Sequence, residues 1–246
     1  MGKVAQQPGR QKNMPNLLIT GGSRGIGFAI TKKFRQAGWQ VASISRHPPP
    51  DPSVLHWPGD FSKSAALASL QPRCCEFAAQ TDKFTLIHNA WQYHGGTTQE
   101  LTADAFSHSL ITNLVPASQL NRWLIPQMPP GSSILFIGST LAEQATQGAA
   151  PYIIEKHALV GMMRALCQDT AGLGIHTACL CPGFTETEML FEHLGDNSEA
   201  RDAIQAHVTH RRLIKPSEIA ELALFAAENP VINGAVLHAN LGQIQF

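Results

Sequence analysis

No stretch of this chain approaches the ~20 consecutive apolar residues that a membrane span requires. Nor is there a surplus of either charge. The 18 Lys and Arg balance 18 Asp and Glu, charged residues make up 15% of the chain, and no basic block occurs. Without a basic stripe to meet phosphates, neither nucleic acid nor an anionic membrane surface is an expected partner. The five cysteines (Cys74, Cys75, Cys167, Cys179 and Cys181) are odd in number and show no CxxC spacing, which argues against a disulfide framework. Cys179 and Cys181 are expected to share one strand face as small apolar groups. Met1 to Asn13 is polar, with Lys3, Arg10 and Lys12 but no apolar centre, so it does not read as a secretory signal. Gln6 stands where a myristoylation motif wants Ser or Thr. Residues 1–14 are therefore expected to be a flexible leader, and the protein cytoplasmic. Of the 11 histidines only His207 and His210 form a close helical pair, with no acidic or cysteine ligand clearly placed beside them. No metal site is expected.

What the chain does have is 246 residues, 43% of them hydrophobic, enough for one domain with a sizeable core. Short apolar runs alternate with helical patterns from end to end, which predicts βαβ units and a largely parallel sheet over residues 15–246. Strands are expected at Asn16–Thr20, Gln40–Ser45, Ser53–Trp57, Phe84–His88, Ser132–Gly138, Ile175–Cys181 and Gly234–Ala239. Helices are expected over Gly25–Ala37, from about Ser62 with Pro72 near its middle or end, from Thr102 to about Leu124, over Pro151–Ala171 and over Pro216–Ala227. Pro116 inside the Thr102–Leu124 stretch implies a kink or break. Glu186 to His210 is helical in outline, interrupted at Gly195-Asp196-Asn197.

The first strand runs straight into Thr20-Gly21-Gly22-Ser23-Arg24-Gly25-Ile26-Gly27, which opens the first helix. Glycines allow a tight turn and close approach of backbone to a phosphate, and the helix N-terminus supplies unpaired N–H groups and a positive dipole end. No GKS or GKT follows, so this is not a nucleotide-triphosphate loop. A dinucleotide is the expected ligand. An acidic residue after the second strand would bind a ribose 2′-OH, but this chain has Ser45-Arg46, with Arg24 in the glycine turn. Two guanidinium groups can fork a 2′-phosphate, which favours NADP(H) over NAD(H); Arg46 as a mere surface residue is the alternative.

Tyr152 and Lys156, at i and i+4, lie on one helix face, so the ammonium can approach the phenol and favour its ionised form. A tyrosine so tuned could exchange protons near neutrality. Ser139, at the carboxyl end of its strand, can donate a hydrogen bond where negative charge develops on a carbonyl oxygen, or cap the segment that follows it.

In these motifs and their order the chain resembles the short-chain dehydrogenases/reductases, over nearly everything from Asn16 to Gly242. The resemblance implies a Rossmann-type doubly wound sheet of about seven parallel strands, ordered 3-2-1-4-5-6-7, with helices on both faces. It implies a catalytic set of Asn113, Ser139, Tyr152 and Lys156, with Tyr152 as proton donor, Lys156 also binding the nicotinamide ribose, and Asn113 positioning a water that links Lys156 to solvent. By the same resemblance the cofactor site comprises Gly21, Ser23, Arg24, Gly25, Ile26, Gly27, Arg46, Asp60 and Phe61 near the adenine, Asn89 and Ala90, Tyr152 and Lys156. Pro182, Gly183, Thr185 and Thr187 would hold the carboxamide end. A lid over about 184–210 and a homo-oligomer, tetramer or dimer, are implied as well.

Four residues at three places depart from the family pattern. Trp91 follows Asn89-Ala90 where a glycine is expected, and could narrow the substrate site, stack on a ligand or pack under the loop. Glu155 stands before Lys156 where a small residue is usual. It lies about 60° around the helix from Tyr152, and a subunit contact or solvent exposure is the expectation for it. Asn240-Leu241 replaces the usual acidic-Gly pair.

The expected activity is NADPH-dependent reduction of a ketone or aldehyde in a small molecule, or oxidation of the matching alcohol. Reduction of 3-oxoacyl groups on an acyl carrier protein is the alternative. It is weakened because Gln127–Gly131 and Ala171–Gly174 carry no positive charge, leaving Arg122 to meet an acidic partner. A dinucleotide-binding sensor or scaffold without turnover is the reading from a different class.

Overall fold

The structure, a computed structural model, describes residues 14–63, 67–195 and 198–243. The leader expected over residues 1–14 falls almost wholly outside the described residues, as do Asp196 and Asn197 of the expected interruption.

Seven strands, β1 Asn16–Thr20, β2 Gln40–Ser45, β3 Leu55–Pro58, β4 Phe84–His88, β5 Ser133–Ile137, β6 His176–Pro182 and β7 Ala235–Ala239, form one sheet in the order β3-β2-β1-β4-β5-β6-β7. Every pairing is parallel. Parallel neighbours need crossover connections that cover both faces of the sheet, so the central strands are buried throughout. The crossover helices, in chain order, are α1 Gly25–Gln36, α2 Gln71–Ala79, α3 Ala103–Asn113, α4 Val115–Leu124, α5 Ala150–Asp169, α6 Glu188–Leu194, α7 Ser198–Ala206 and α8 Pro216–Glu228.

Period-two alternation divides the core. Leu17 and Ile19 pack with Ile30 and Phe34 of α1 and Ala223 and Ala227 of α8 on one face. Leu18, in the same strand, joins Phe77 of α2, Leu120 of α4 and Leu159 and Met163 of α5 on the other. Cys179 and Cys181 also point to that second face, with their sulfurs 3.8 Å apart. All five cysteines are free thiols.

Both prolines inside expected helices mark helix starts. The long stretch after Thr102 breaks at Leu114, and Pro116 occupies the first turn of α4, where its missing N–H is not needed. Pro72 also lies in a first turn, that of α2, which corrects the expectation of an obstacle near a helix middle or end. Helical residues 67–68 are followed by a turn and then by this separate helix. Between Glu186 and His210 the chain forms α6, capped by the Thr187 hydroxyl, which accepts from Leu190 N at 3.3 Å, and then α7. No helix among the described residues is long and apolar enough to cross a membrane.

Candidate active site

Because all strands run the same way, the loops that leave their carboxyl ends converge along one edge of the sheet. They enclose a cleft of about 1590 Å³. Every residue nominated as catalytic or cofactor-binding lines it, from Gly21 after β1 and Arg46 after β2 to Ser139 after β5 and Gly183 after β6.

At one end lies the glycine turn, braced from below by the loop after β4. The Thr20 hydroxyl accepts from the backbone N–H of Asn89 and of Ala90, each at 3.0 Å. The Asn89 amide donates to Thr20 O at 3.1 Å and to Gly21 O at 2.9 Å. Gly21 sits at φ +72°, and a Cβ there would lie 2.9 Å from Ala90 Cα. A Cβ on Gly27 would run into Gly21 O. The first turn of α1 has no side-chain cap and no acidic residue of its own, so its N–H groups are left to the cleft, with the Glu188 carboxylate of α6 coming to 3.4 Å from where a Gly25 Cβ would stand. These features fit a dinucleotide pyrophosphate.

The two arginines expected near a 2′-phosphate border this end. Arg46 is exposed at the end of β2, with Asp60 within its electrostatic reach. Asp60 itself is held below the usual carboxylate range by hydrogen bonds from Ser62. Arg24 pairs with Glu192 of α6 at 3.1 Å, tying the glycine turn to the segment over the cleft. Both side chains are at least half exposed, so the pair is weak and open to exchange.

The other end is built from side chains. The Tyr152 hydroxyl is hydrogen-bonded to Ser139, whose Oγ also accepts from Leu141 N at 3.2 Å and caps the short turn that follows. Lys156 is buried, donates to Ile137 O at 3.0 Å, and holds its Nζ 3.6 Å from the centre of the Trp91 ring. The Tyr152 ring centre is farther, at 5.5 Å. Burial pushes the Tyr152 phenol up to about 12, against the lowering effect of Ser139, with Tyr93, Cys181 and Glu155 raising it further. Burial likewise brings Lys156 down to about 8, while Cys179, Cys181 and Glu155 favour its charged form. In this arrangement burial outweighs any lowering of the phenol, and the Lys156 ammonium, 5.5 Å from the Tyr152 ring centre, stands closer to the indole than to the phenol ring.

Glu155 corrects a second expectation. It is neither solvent-exposed nor at a subunit surface but completely buried. Its Oε2 accepts from the Asn113 amide at 2.8 Å. The same amide donates to Gln92 O at 2.9 Å, and Asn113 Oδ1 accepts from Gln92 N at 2.9 Å. Asn113, placed at the end of α3 by the break before Pro116, is thereby committed to Gln92 and Glu155 in this structure. Trp91 stands over Lys156 and meets Tyr152 edge-on, with ring centres 6.3 Å apart. Tyr93, a further residue at this end of the cleft, packs against Tyr152 with ring centres 5.2 Å apart. Its place two residues beyond Trp91 carries no motif signal. His157 and the expected surface pair His207 and His210 are exposed, and no metal-ligating cluster occurs among the described residues.

Fold and site together define an oxidoreductase of the dinucleotide-dependent α/β class, and a family model described as Enoyl-(Acyl carrier protein) reductase matches residues 21–243. The chain belongs to the short-chain dehydrogenase/reductase family. It is 29% identical over 235 residues to the 3-oxoacyl-(acyl-carrier-protein) reductase FabG of Vibrio cholerae, covering 92% of this chain and 95% of that protein. Among solved structures it resembles a short-chain dehydrogenase/reductase from Serratia marcescens, with a TM-score of 0.82 and 28% identity over 94% of this chain and 98% of that one. A short-chain dehydrogenase from Burkholderia cenocepacia in complex with NADP matches with a TM-score of 0.79 and 25% identity, covering 92% of this chain and 96% of the other.

Proposed function

We propose that this protein is an NADPH-dependent reductase of a ketone or aldehyde carbonyl, with Tyr152 as its proton donor. One observation carries the reading. Ser139, Tyr152 and Lys156 converge in the same cleft as the glycine turn, and the phenol there is protonated, the state a donor needs. A bound nicotinamide cofactor would supply the hydride. Tyr152 gives its proton to the carbonyl oxygen as negative charge builds on it, and Ser139 donates a hydrogen bond to the same atom. Lys156 keeps a buried positive charge close by and uses one of its three N–H donors on Ile137 O, which leaves donors for a ribose hydroxyl. Asn113 holds the Gln92 loop against α5.

NADPH over NADH follows from Arg24 and Arg46 on the cleft wall and from the lack of an acidic residue directly after β2. The NADP bound to the Burkholderia protein agrees with that choice. The segment 184–210 serves as a lid that contributes Met189, Leu190 and Ile204 to the cleft and favours an apolar part in the substrate. A homo-oligomer fits the exposed Ile111, Val115 and Ile154 on α3, α4 and α5, and a cytoplasmic location belongs to the same reading.

Reduction of carrier-bound 3-oxoacyl groups is the second reading, favoured by the Vibrio relative. The lack of cations in Gln127–Gly131 and Ala171–Gly174, which meet through Gly131 N and Gly174 O at 2.8 Å, speaks against it. Titration with NADPH and NADH, then NADPH oxidation over a panel of free carbonyls and acyl thioesters, with Tyr152→Phe as control, tests both. Tyr152-dependent turnover of free carbonyls supports the first reading, and turnover confined to carrier-bound thioesters supports the second. Nucleotide binding without turnover points to a sensor.

A further inference from the structure

Two of the residues that depart from the family pattern, Trp91 and Glu155, belong to one closed ring of contacts around Lys156. Glu155 precedes Lys156 on α5 and accepts from Asn113 at 2.8 Å. Asn113 makes a reciprocal pair of hydrogen bonds with the Gln92 backbone, each 2.9 Å. Gln92 follows Trp91, and the Trp91 ring centre lies 3.6 Å from Lys156 Nζ, which closes the ring. A glycine at 91 would remove the aromatic face nearest the buried ammonium and leave Ile137 O as its hydrogen-bond acceptor, and a small residue at 155 would leave the Asn113 amide with one acceptor fewer.

We propose that Trp91 and Glu155 act together to position Lys156: Glu155 ties Asn113 to the Gln92 loop, and that loop holds the Trp91 indole face on the lysine ammonium. The indole N–H is buried and makes no hydrogen bond among the described residues, so the aromatic face is what the lysine meets. An ammonium over an aromatic face is attracted by the ring quadrupole, most strongly when water is excluded. Glu155 is a positioning residue because it acts through Asn113. Its second oxygen, Oε1, is buried without a hydrogen-bond partner among the described residues, so the bond from Asn113 to Oε2 is the polar contact this carboxyl makes there.

The proposal rests on the reading of Lys156 as part of the catalytic set, so its test has one arm that needs no turnover. Tryptophan emission of the nucleotide-free protein is followed against pH. The ionisable groups around Lys156 are Tyr152 and Glu155 on its own helix and Cys179 and Cys181 on β6, the cysteines in turn facing Glu143 and His238. A step in emission that Trp91→Phe and Lys156→Met both remove, and that Glu155→Ala shifts or removes, supports the ring. A step unchanged by Glu155→Ala, or no Lys156-dependent step at all, overturns it.

The second arm is a double-mutant cycle on kcat for carbonyl reduction. Trp91→Ala and Glu155→Ala are each expected to lower kcat by about tenfold, and the double variant by little more than either. Trp91→Phe keeps an aromatic face and Glu155→Gln keeps a carbonyl for Asn113, so each is expected within about threefold of the wild type. Independent, multiplying losses in the double variant would overturn the coupling, as would Glu155→Gln falling as far as Glu155→Ala. Melting temperatures accompany every variant; if Glu155→Ala does not fold, Glu155→Gln and the two Trp91 variants carry both arms. An emission step without any turnover defeats the reductase reading and leaves the positioning ring standing. Turnover without the step does the reverse.

Discussion

The two ends of the cleft are made of different material. The glycine end is backbone: a turn at positive φ, bare helix N–H groups, and a brace from Thr20 and Asn89 that holds peptide groups rather than side chains. The lysine end is side chain: a half-buried tyrosine, a buried ammonium and a buried carboxyl on α5, the indole of the loop after β4, Asn113 at the end of α3 and Ser139 after β5. A backbone site tolerates almost any neighbour but no Cβ. A side-chain site tolerates substitutions unevenly, because each buried polar group relies on its partners. Four measurements set the two ends against each other.

Tyr152→Phe should have the largest effect. Loss of the proton donor is expected to reduce kcat by roughly 10²–10⁴-fold, about 3–5 kcal/mol of barrier, with NADPH affinity within about threefold of the wild type. Comparable losses in kcat and affinity would mean that the two ends are not separable.

Acid should weaken the protein beneath the lysine end. His88 is buried on β4, its Nε2 paired with Asn121 Oδ1 at 2.8 Å, and burial lowers its pKa from the ordinary histidine value of 6.5 to about 4. The folded state therefore binds fewer protons than the unfolded chain between those values. Stability present above pH 6.5 is lost as pH falls through 4, by up to about 3 kcal/mol from this group. Denaturant midpoints measured from pH 7 to pH 4 check this, and His88→Gln should flatten that part of the curve.

Gly21→Ala tests the glycine end. With φ at +72° and Ala90 Cα 2.9 Å from the new Cβ, it should cost about 1–2 kcal/mol and weaken nucleotide binding about tenfold or more. The pH dependence of stability should be unaffected. An unchanged affinity would show that the turn is not the phosphate cradle.

Smallest is Arg46→Glu, at an exposed position with freedom to adjust. The ratio of NADPH to NADH affinity should fall by about tenfold, roughly 1.4 kcal/mol, with kcat at saturating cofactor little changed. A constant ratio would leave Arg24 as the arginine that reads the phosphate, and breaking its contact with Glu192 would be the next substitution.

The glycine end was legible because its requirements are local. A strand that runs into Gly21, Gly25 and Gly27 and then into a helix can do little else, since those positions need positive φ or close backbone approach. The sheet order could be expected for a related reason, because alternating strands and helices leave few right-handed parallel arrangements. Pro116 announced the break that ends α3 at Asn113, though Pro72 was harder to place because a proline is welcome in a first turn and ruinous later. The lysine end could be nominated from Tyr152 and Lys156 but not described. A glutamate beside a lysine on a helix reads as a solvated residue, and nothing local says that α3 will bring Asn113 against it.

The chain by itself thus determined most of the elements, the parallel sheet and the glycine, serine, tyrosine and lysine positions that line the cleft, since periodicity, proline and glycine act over a few residues at a time. Only the tertiary structure decided what surrounds the titrating groups of the site. Which way the Tyr152 phenol is shifted, and whether Lys156 faces the phenol or the Trp91 indole, depends on how much water the assembled helices exclude and which dipoles they leave nearby. Desolvation is a property of the packed whole, and no spacing of residues along the chain encodes it.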